Sequence, residues 1–436
     1  MLFPKLLEPF LVLFGYLHFK LKSSRYCYKD KQAVDHDKFK SLKKLLCESY
    51  DNIPFYNEKY SAAGFDPHKD FNCLSDFNKV PILSKREARE NQDKLINHAK
   101  SQFCLEFKTS GSTGNPFRAL ISPRHWIIEQ SCIWRHWSWA GYKFRDKMAI
   151  VRSHVPKNDN DLIRIDKLRN FHYFSPFHLS DKHIEFYLEK MNEFGITFLR
   201  GYPSSILAIA NYAQKHPNVK LPKFKGILTA SERLAENDKR KMEKYLNAPV
   251  FNHYGLAEQI VMFGGCEEGT HLHNYEEYGH LELLDIEGSS FKKIIGTNLN
   301  NYAMPLIRYD TGDLAEVVEE KCSCSRVSPS IKNVIGREDA TITLADGSKI
   351  PVTNFYTMFE YYDNELSSWQ LVQEGVDNLK VILDIKEGID VPGLLERLDK
   401  DINDRLFNKL NLTFDVSGSF VYVGEGKKNP FIKSIC

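Results

Sequence analysis

Between residues 183 and 194, apolar side chains fall at Ile184, Tyr187, Leu188, Met191 and Phe194, the spacing of one helical face. The same period returns at Leu394, Leu395, Leu398, Ile402, Leu406 and Leu410, predicting a second amphipathic helix. Short apolar runs at 148–151, 198–201 and 226–230 read as strands. Strand–helix alternation across 148–258 predicts a parallel α/β sheet, in which ligands bind where strands end. Upstream, residues 38–60 read as a helix ending in Ile53-Pro54-Phe55-Tyr56. The segment Val80-Pro81-Ile82-Leu83-Ser84-Lys85 reads as packing anchors, and 103–108 alternate as a strand. Residues 127–139 predict a helix, and the nearby Trp126, Trp134, Trp137 and Trp139 read as core. Residues 271–284 and 296–318 are mostly strand-like and predict a smaller β-subdomain. After Gly336 the pattern changes, with strands at 379–385 and 414–423 around the second helix.

The stretch 6–19 is apolar but interrupted by Glu8 and Pro9. It is shorter than the ~20 residues a transmembrane helix needs, and no small-residue cleavage site follows. Lys20, Lys22 and Arg25 come next. A membrane-surface helix fits this pattern; a helix packed on the main domain is the expected arrangement. A chain of 436 residues calls for two or more domains. A net charge of +2 gives no sign of a nucleic-acid partner. Nine cysteines without a disulfide-like framework suit a reducing cytoplasm. The sequence assigns no oligomeric state.

Candidate chemistry begins at Thr109-Ser110-Gly111-Ser112-Thr113-Gly114-Asn115-Pro116. Glycines permit close backbone approach to an anion, successive N–H groups form an anion-binding nest, and hydroxyls add rotatable donors. An ordinary turn has the same composition, and no Gly-Lys-Ser/Thr closes the loop as in a Walker A motif. Later come Tyr254-Gly255-Leu256-Ala257-Glu258, Arg308-Tyr309-Asp310-Thr311-Gly312-Asp313 and Gly336-Arg337-Glu338-Asp339. Each motif is weak alone, but four in this order over roughly half the chain resemble the adenylate-forming superfamily. Within it, the pFY and vPILsK segments resemble the phenylacetate–CoA ligase and CapK (capsule-biosynthesis) branch.

That resemblance implies an α/β fold: a large N-terminal domain of α/β layers with a β-subdomain over residues 1–336, and a small mobile C-terminal α/β domain over 337–436. It implies ATP-dependent activation of a small carboxylic acid to an acyl-adenylate, followed by acyl transfer to coenzyme A. Such chemistry gathers negative charge, and needs oriented donors, Mg²⁺ and a cation at the α-phosphate. The resemblance makes Thr109, Ser110, Gly111, Ser112, Thr113 and Gly114 the phosphate loop, with Thr113 among the catalytic residues. It places Tyr254 and Gly255 at adenine, with Ser231 and Glu232 bordering it. Glu258 becomes the magnesium carboxylate, Asp313 the acceptor of the ribose hydroxyls, and Arg337 a nucleotide contact. Asp310 and Thr311 shape the turn, and Asp339 is the hinge. Lys427 matches the adenylating lysine by its Gly-Lys spacing, with Lys428 the neighbouring alternative. The chain departs from the pattern at Asn115, where relatives often carry lysine. Phe177, His178, Tyr202 and Pro203 occupy stretches that border the acyl pocket in relatives.

Outside these motifs, Cys266, His271, Cys322 and Cys324 form a candidate structural zinc set of three thiols and one imidazole. Unrelated thiols give the same pattern. Two alternatives stand beside the CoA-ligase expectation. In one, a CapK-type enzyme passes the acyl group to an amine, sugar or carrier protein in surface polysaccharide biosynthesis. In the other, the chain is a non-catalytic nucleotide-binding protein on the same fold, a reading supported by Asn115 and opposed by Glu258, Asp313, Arg337 and Lys427.

Overall fold

The computed structural model describes residues 3–108, 117–156, 161–287, 289–337, 340–345, 349–352, 355, 358–359, 361–406, 409–423, 427–428 and 431–433. For 3–9, 108, 337, 349, 351, 423 and 427 only the backbone is described. The chain forms two compact units, residues 1–143 with 251–334 and residues 144–250 with 335–436.

The first unit opens with helices α1 (Phe3–Leu21), α2 (Lys31–Asn52) and α3 (Pro54–Ala62). Asp30 caps α2, its carboxylate accepting from the N–H groups of Gln32 and Ala33. Pro54 occupies the first turn of α3, where its missing N–H costs nothing. The helix expected over 38–60 is therefore two helices, and the first begins at Lys31, because a polar cap sets its start. Two short helices follow, α4 (Pro67–Asp70) and α5 (Lys85–Glu90), then the antiparallel hairpin of β1 (Leu105–Lys108) and β2 (Arg118–Ile121). The expected strand starts two residues late, at Leu105, because Phe103 sits at φ 63°, outside extended backbone. Helix α6 (Pro123–Trp139) buries Trp126, Trp134 and Trp137, so these indoles belong to the core, and α1 lies along it.

In the second unit the alternation is β3 (Met148–Val151), β4 (Ile163–Asp166), β5 (Phe171–Phe174), α7 (Asp181–Phe194), β6 (Phe198–Gly201), α8 (Pro203–Lys215), β7 (Gly226–Ala230) and α9 (Glu236–Leu246). Strands β7, β6, β3 and β5 are parallel neighbours in that order, and β4 runs antiparallel beside β5. Ile184, Tyr187, Leu188 and Met191 of α7, together with Ile206 and Ala210 of α8, share one core with Ala149, Leu199 and Ile227 of the sheet. The period that predicted α7 is thus the face it buries.

Then come β8 (Val250–Gly255), β9 (Met262–Gly265), β10 (Leu272–Asn274), β11 (Gly279–Asp285), β12 (Phe291–Asn298), β13 (Tyr309–Glu316), β14 (Ser330–Ile331) and β15 (Asn333–Arg337), of which all but Val250 and residues 335–337 belong to the first unit. Strands β8, β9, β10 and β14 pair antiparallel in sequence, and β11–β12–β13 form an antiparallel meander. A Cβ at Gly279 would stand 1.9 Å from the Ile260 carbonyl oxygen, so only glycine lets the meander approach that backbone.

The second unit ends with the antiparallel pair β16 (Thr341–Thr343) and β17 (Lys349–Pro351), β18 (Leu366–Gln373), β19 (Asn378–Ile385), α10 (Val391–Leu406), β20 (Asn411–Asp415), β21 (Tyr422–Val423), β22 (Lys427–Lys428) and β23 (Phe431–Lys433). The sheet order is β20-β19-β18-β23, and α10 buries Leu394, Leu398, Ile402 and Leu406. The strand expected over 414–423 is broken, with Gly418 at φ 68° between β20 and β21. The whole is an α/β fold of several sheets. Among the described residues, no helix is long and apolar enough to cross a membrane.

Candidate nucleotide site and thiol cluster

In the first unit, two separated stretches, 254–258 and 309–313, meet beside the end of β8 and along β13. Tyr254, near the end of β8, donates its hydroxyl to Asp313 Oδ2 at 2.7 Å. Burial, and then the Asp313 carboxylate, hold the Tyr254 hydroxyl well above its ordinary pKa, so it stays a donor. Its ring tilts against Phe263, with centroids 5.5 Å apart. Glu258 is 3% exposed, and its Oε1 accepts from the Tyr309 hydroxyl at 3.2 Å. A buried carboxylate met by a neutral hydroxyl suits a hard cation, which prefers oxygen ligands.

The turn that delivers Asp313 is built by its own motif. Gly312 N–H donates to Asp310 Oδ1 at 2.9 Å, and Asp313 N–H donates to Thr311 Oγ1 at 3.1 Å. Thr311 Oγ1 in turn donates to the Ile294 carbonyl at 2.7 Å, and Gly312 takes φ 68°. Asp310 and Thr311 therefore shape this turn.

Arg308 and Tyr309 were assigned no role from sequence. Arg308, 6% exposed, pairs with both carboxylate oxygens of Glu282 at 3.0 and 2.7 Å. It also donates to the carbonyls of Asn78 and Val80 at 3.0 and 2.6 Å. The Leu83 backbone exchanges hydrogen bonds with the Arg308 carbonyl and the Asp310 N–H, each at 2.9 Å. The vPILsK segment is thus the support of the strand that carries Asp313. The signal was the co-occurrence of that segment with the motif containing Arg308.

In the second unit, Ser231 stands at φ 75° and Glu232 spans two elements. Glu232 accepts from Ser204 N–H at 2.9 Å, from Ser204 Oγ at 3.0 Å and from the Lys428 N–H at 2.7 Å. Burial raises its pKa against these donors. The Lys428 ammonium donates to Ser368 Oγ and lies 3.6 Å from the Phe420 ring centroid. Burial lowers it to about 8, opposed by the charges of Asp238, Glu232 and Asp384. Tyr202 is fully buried, Phe177 is exposed, and His178 Nδ1 is hydrogen-bonded to Ser175 Oγ at 3.0 Å. The whole phosphate loop, Thr109 to Pro116 including Thr113 and Asn115, lies outside the described residues, as do Asp339 and the side chains of Arg337 and Lys427. Gly255 ends β8 and is exposed.

The thiol cluster gathers Cys266, His273, Cys322 and Cys324, with all ligand atoms within 4.8 Å of one another. Cys266 and Cys322 sulfurs are 3.5 Å apart, and Cys324 Sγ is 3.2 Å from His273 Nε2. Tetrahedral zinc at Zn–S distances of about 2.3 Å sets sulfurs about 3.8 Å apart, so the set fits. The imidazole differs from the one expected. His271, just before β10, and His273 within it lie on the same side, ring centroids 6.2 Å apart, but His271 is held elsewhere, hydrogen-bonded to Thr270 Oγ1 at 2.8 Å and to the Glu320 carbonyl at 2.9 Å. Burial first, then Arg326, lowers His273 to about 4, leaving the neutral ring that ligation requires. Burial pushes the Cys266 thiol up to about 12. At Cys324 burial is outweighed, chiefly by hydrogen bonds from Arg326, and the thiol is lowered.

No protein-family model matches the chain. It is 25% identical to Protein CapK of Staphylococcus aureus over 398 residues, which cover 88% of this chain and 86% of CapK. It is 23% identical to the phenylacetate-coenzyme A ligase of Thermus thermophilus over 309 residues, 68% of this chain and 69% of the ligase. The Escherichia coli phenylacetate-coenzyme A ligase is 22% identical over 366 residues, 79% and 81% of the two chains. Among solved structures, a 2-hydroxyisobutyryl-CoA ligase matches with a TM-score of 0.67 at 16% identity, over 93% of this chain and 90% of that one. Over most of its length the chain is similar in sequence to CapK and the phenylacetate–CoA ligases, and its fold is that of the adenylate-forming CoA ligases.

Proposed function

We propose that this protein is an adenylate-forming ligase. A small carboxylic acid attacks the α-phosphorus of ATP, pyrophosphate leaves, and the acyl group passes from AMP to the thiol of coenzyme A. The observation that carries this reading is the convergence of Tyr254, Glu258, Tyr309 and Asp313 from separate stretches of sequence. Asp313, oriented by Tyr254 and the 310–313 turn, would take the ribose hydroxyls; two carboxylate oxygens suit a diol. Glu258 would hold Mg²⁺, which neutralises charge on the departing phosphates. Ser231 and Glu232 would border adenine, Arg337 would contact the nucleotide, and the loop at Thr109 to Gly114 would hold the phosphates. Lys427 would reach the α-phosphate from a C-terminal domain, residues 337–436, that turns about Asp339 relative to residues 1–336. A zinc ion held by Cys266, His273, Cys322 and Cys324 would staple the first unit without entering the reaction. The chemistry would take place in the cytoplasm, where ATP and coenzyme A are available.

A second acceptor has support in the similarity to CapK along 88% of the chain. In that reading the adenylate is made in the same way, but the acyl group goes to an amine, sugar or carrier protein in surface polysaccharide synthesis.

The test is pyrophosphate release across a panel of carboxylic acids, with and without coenzyme A. Release that depends on one class of acid, with acyl-CoA formed, is the expected result. Acid-dependent release without acyl-CoA would favour the second acceptor; no release with any acid, despite ATP binding, would favour a non-catalytic role. Asp313→Ala should weaken ATP binding by about 10- to 150-fold, the loss of a charge-assisted hydrogen bond worth ~1.5–3 kcal/mol. Unchanged nucleotide affinity in that variant would count against the site.

A further inference from the structure

Helix α1 has two apolar faces, and the protein covers one of them. Leu11, Val12 and Phe19 are buried, and a Cβ at Gly15 would stand 2.5 Å from Gln130 Cβ on α6. His18 Nδ1 meets Ser131 Oγ at 3.0 Å, fixing the rotation of α1 about its axis. On the opposite side, Phe10, Leu13, Phe14, Leu17 and Leu21 fall at i, i+3, i+4, i+7 and i+11, one helical face, and are 44–80% exposed. Scattered exposed apolar side chains are ordinary; five in one continuous helical stripe mark an interaction surface.

The charge beside the stripe is of one sign. From residue 10 to residue 25 the sequence contains no Asp or Glu, while Lys20, Lys22 and Arg25 are all exposed. Exposed Arg124, at the start of α6, joins them. The His18 ring is held low by burial and then by Lys22, raised by Glu277 and lowered again by Arg124, so both cations act at this end of α1, while Glu277 is itself paired with Arg135. Lys20 Nζ lies 5.6 and 5.4 Å from the Tyr16 and Phe19 ring centroids, its stem lying over apolar surface with the charge at the rim.

We propose that α1 is an in-plane docking helix for an anionic lipid surface, its stripe seated at the boundary of headgroups and acyl chains, with Lys20, Lys22, Arg25 and Arg124 against the headgroup phosphates. An apolar face flanked by cations is what such helices present, and anionic lipid attracts basic side chains at this depth. A second copy of the chain fits less well. Five side chains on one helix offer a few hundred Å², against the ~800 Å² per partner of a standard interface. Pairing two such surfaces would also bring together cations with no carboxylate in the segment to balance them. The proposal is independent of the catalytic reading.

The experiment is co-sedimentation of the full-length protein with vesicles of phosphatidylcholine alone and with vesicles enriched in phosphatidylglycerol. The expected result is binding at least about tenfold tighter to the anionic vesicles, weakened by salt. Phe14→Asp/Leu17→Asp should abolish it. Lys20→Glu/Lys22→Glu should weaken it by roughly fivefold or more per charge. Both pairs are exposed, and circular dichroism with the unfolding temperature checks that each variant folds; either pair alone suffices for the test. Absence of vesicle binding, or binding unchanged in the folded variants, overturns the proposal. So does a concentration-dependent dimer in sedimentation velocity that Phe14→Asp/Leu17→Asp dissociates, with no lipid binding by the parent, which would assign the stripe to a second copy.

Discussion

Arg308 shows how one side chain holds a site it does not enter. It satisfies Glu282 and two backbone carbonyls from a residue at φ 48°. Arg308→Ala would leave the Glu282 carboxylate buried without its partner, a loss of about 3–5 kcal/mol. Urea unfolding should show that drop, and Arg308→Lys should recover only part of it, because lysine cannot make the two-pronged contact. His125 gives a pH-dependent counterpart. Its Nε2–H donates to the Gln259 carbonyl at 2.8 Å, its ring stacks on Tyr278, and burial lowers it to about 4. As pH falls from 6.5 towards 4, the unfolded chain takes a proton that folded His125 refuses, so stability falls with pH. The effect approaches about 3 kcal/mol at pH 4. His125→Phe should be less stable at pH 7 and should show a shallower fall in urea midpoint over that interval. Little of this was legible in the sequence. Arg308 stood inside a quoted motif, but its partners lie 26 and more than 200 residues away, and no periodicity joins them.

At the scale of elements, the strongest patterns were read correctly: α7, β3, β7 and the buried face of α10 lie where apolar spacing set them. The failures fell where polar residues or backbone angles decide, at the Asp30 cap of α2 and at the φ 63° of Phe103. The segment that opens β10 carries the sharpest case. The period of two puts His271 and His273 on one face, and sequence spacing pointed to His271, whereas the fold brings His273 to the thiols. Protein purified without added metal should contain about one zinc per chain. His273→Ala and Cys324→Ser should each lose it, whereas His271→Ala should keep it. Unfolding temperatures should drop with the metal, by roughly 2–4 °C per kcal/mol for a unit of this size. Elemental analysis of the three variants decides between the histidines, and a metal-free parent protein would remove the site altogether.

For the molecule as a whole, the parallel sheet was visible in the alternation of 148–258, but the way segments assemble was not. The chain leaves its first compact unit after Lys143, returns at Phe251 and leaves again after Val334. Hydrophobic pattern reports which face of an element is buried, and carries nothing about which distant segments share a core. The proposed domains, residues 1–336 and 337–436, would divide the chain differently from its compact units. The C-terminal lysines separate the two ideas experimentally. Lys428 is engaged within its unit: its N–H is given to Glu232 and its ammonium to Ser368, among the charges of Asp238 and Asp384. Lys428→Ala would remove a cation from a group of carboxylates, and its main cost is expected in unfolding temperature. Lys427 follows Gly426, the spacing on which we propose it as the adenylating lysine, and a flexible point charge suits a phosphate oxygen. If the 337–436 domain brings it to ATP only while the adenylate is made, Lys427→Ala should lose pyrophosphate release by about 10²–10³ and keep its unfolding temperature. It should also convert a supplied acyl-adenylate to thioester at nearly the parent rate. An equal loss in both half-reactions would make Lys427 a structural residue. A loss of adenylation in folded Lys428→Ala, with Lys427→Ala fully active, would transfer the role to Lys428.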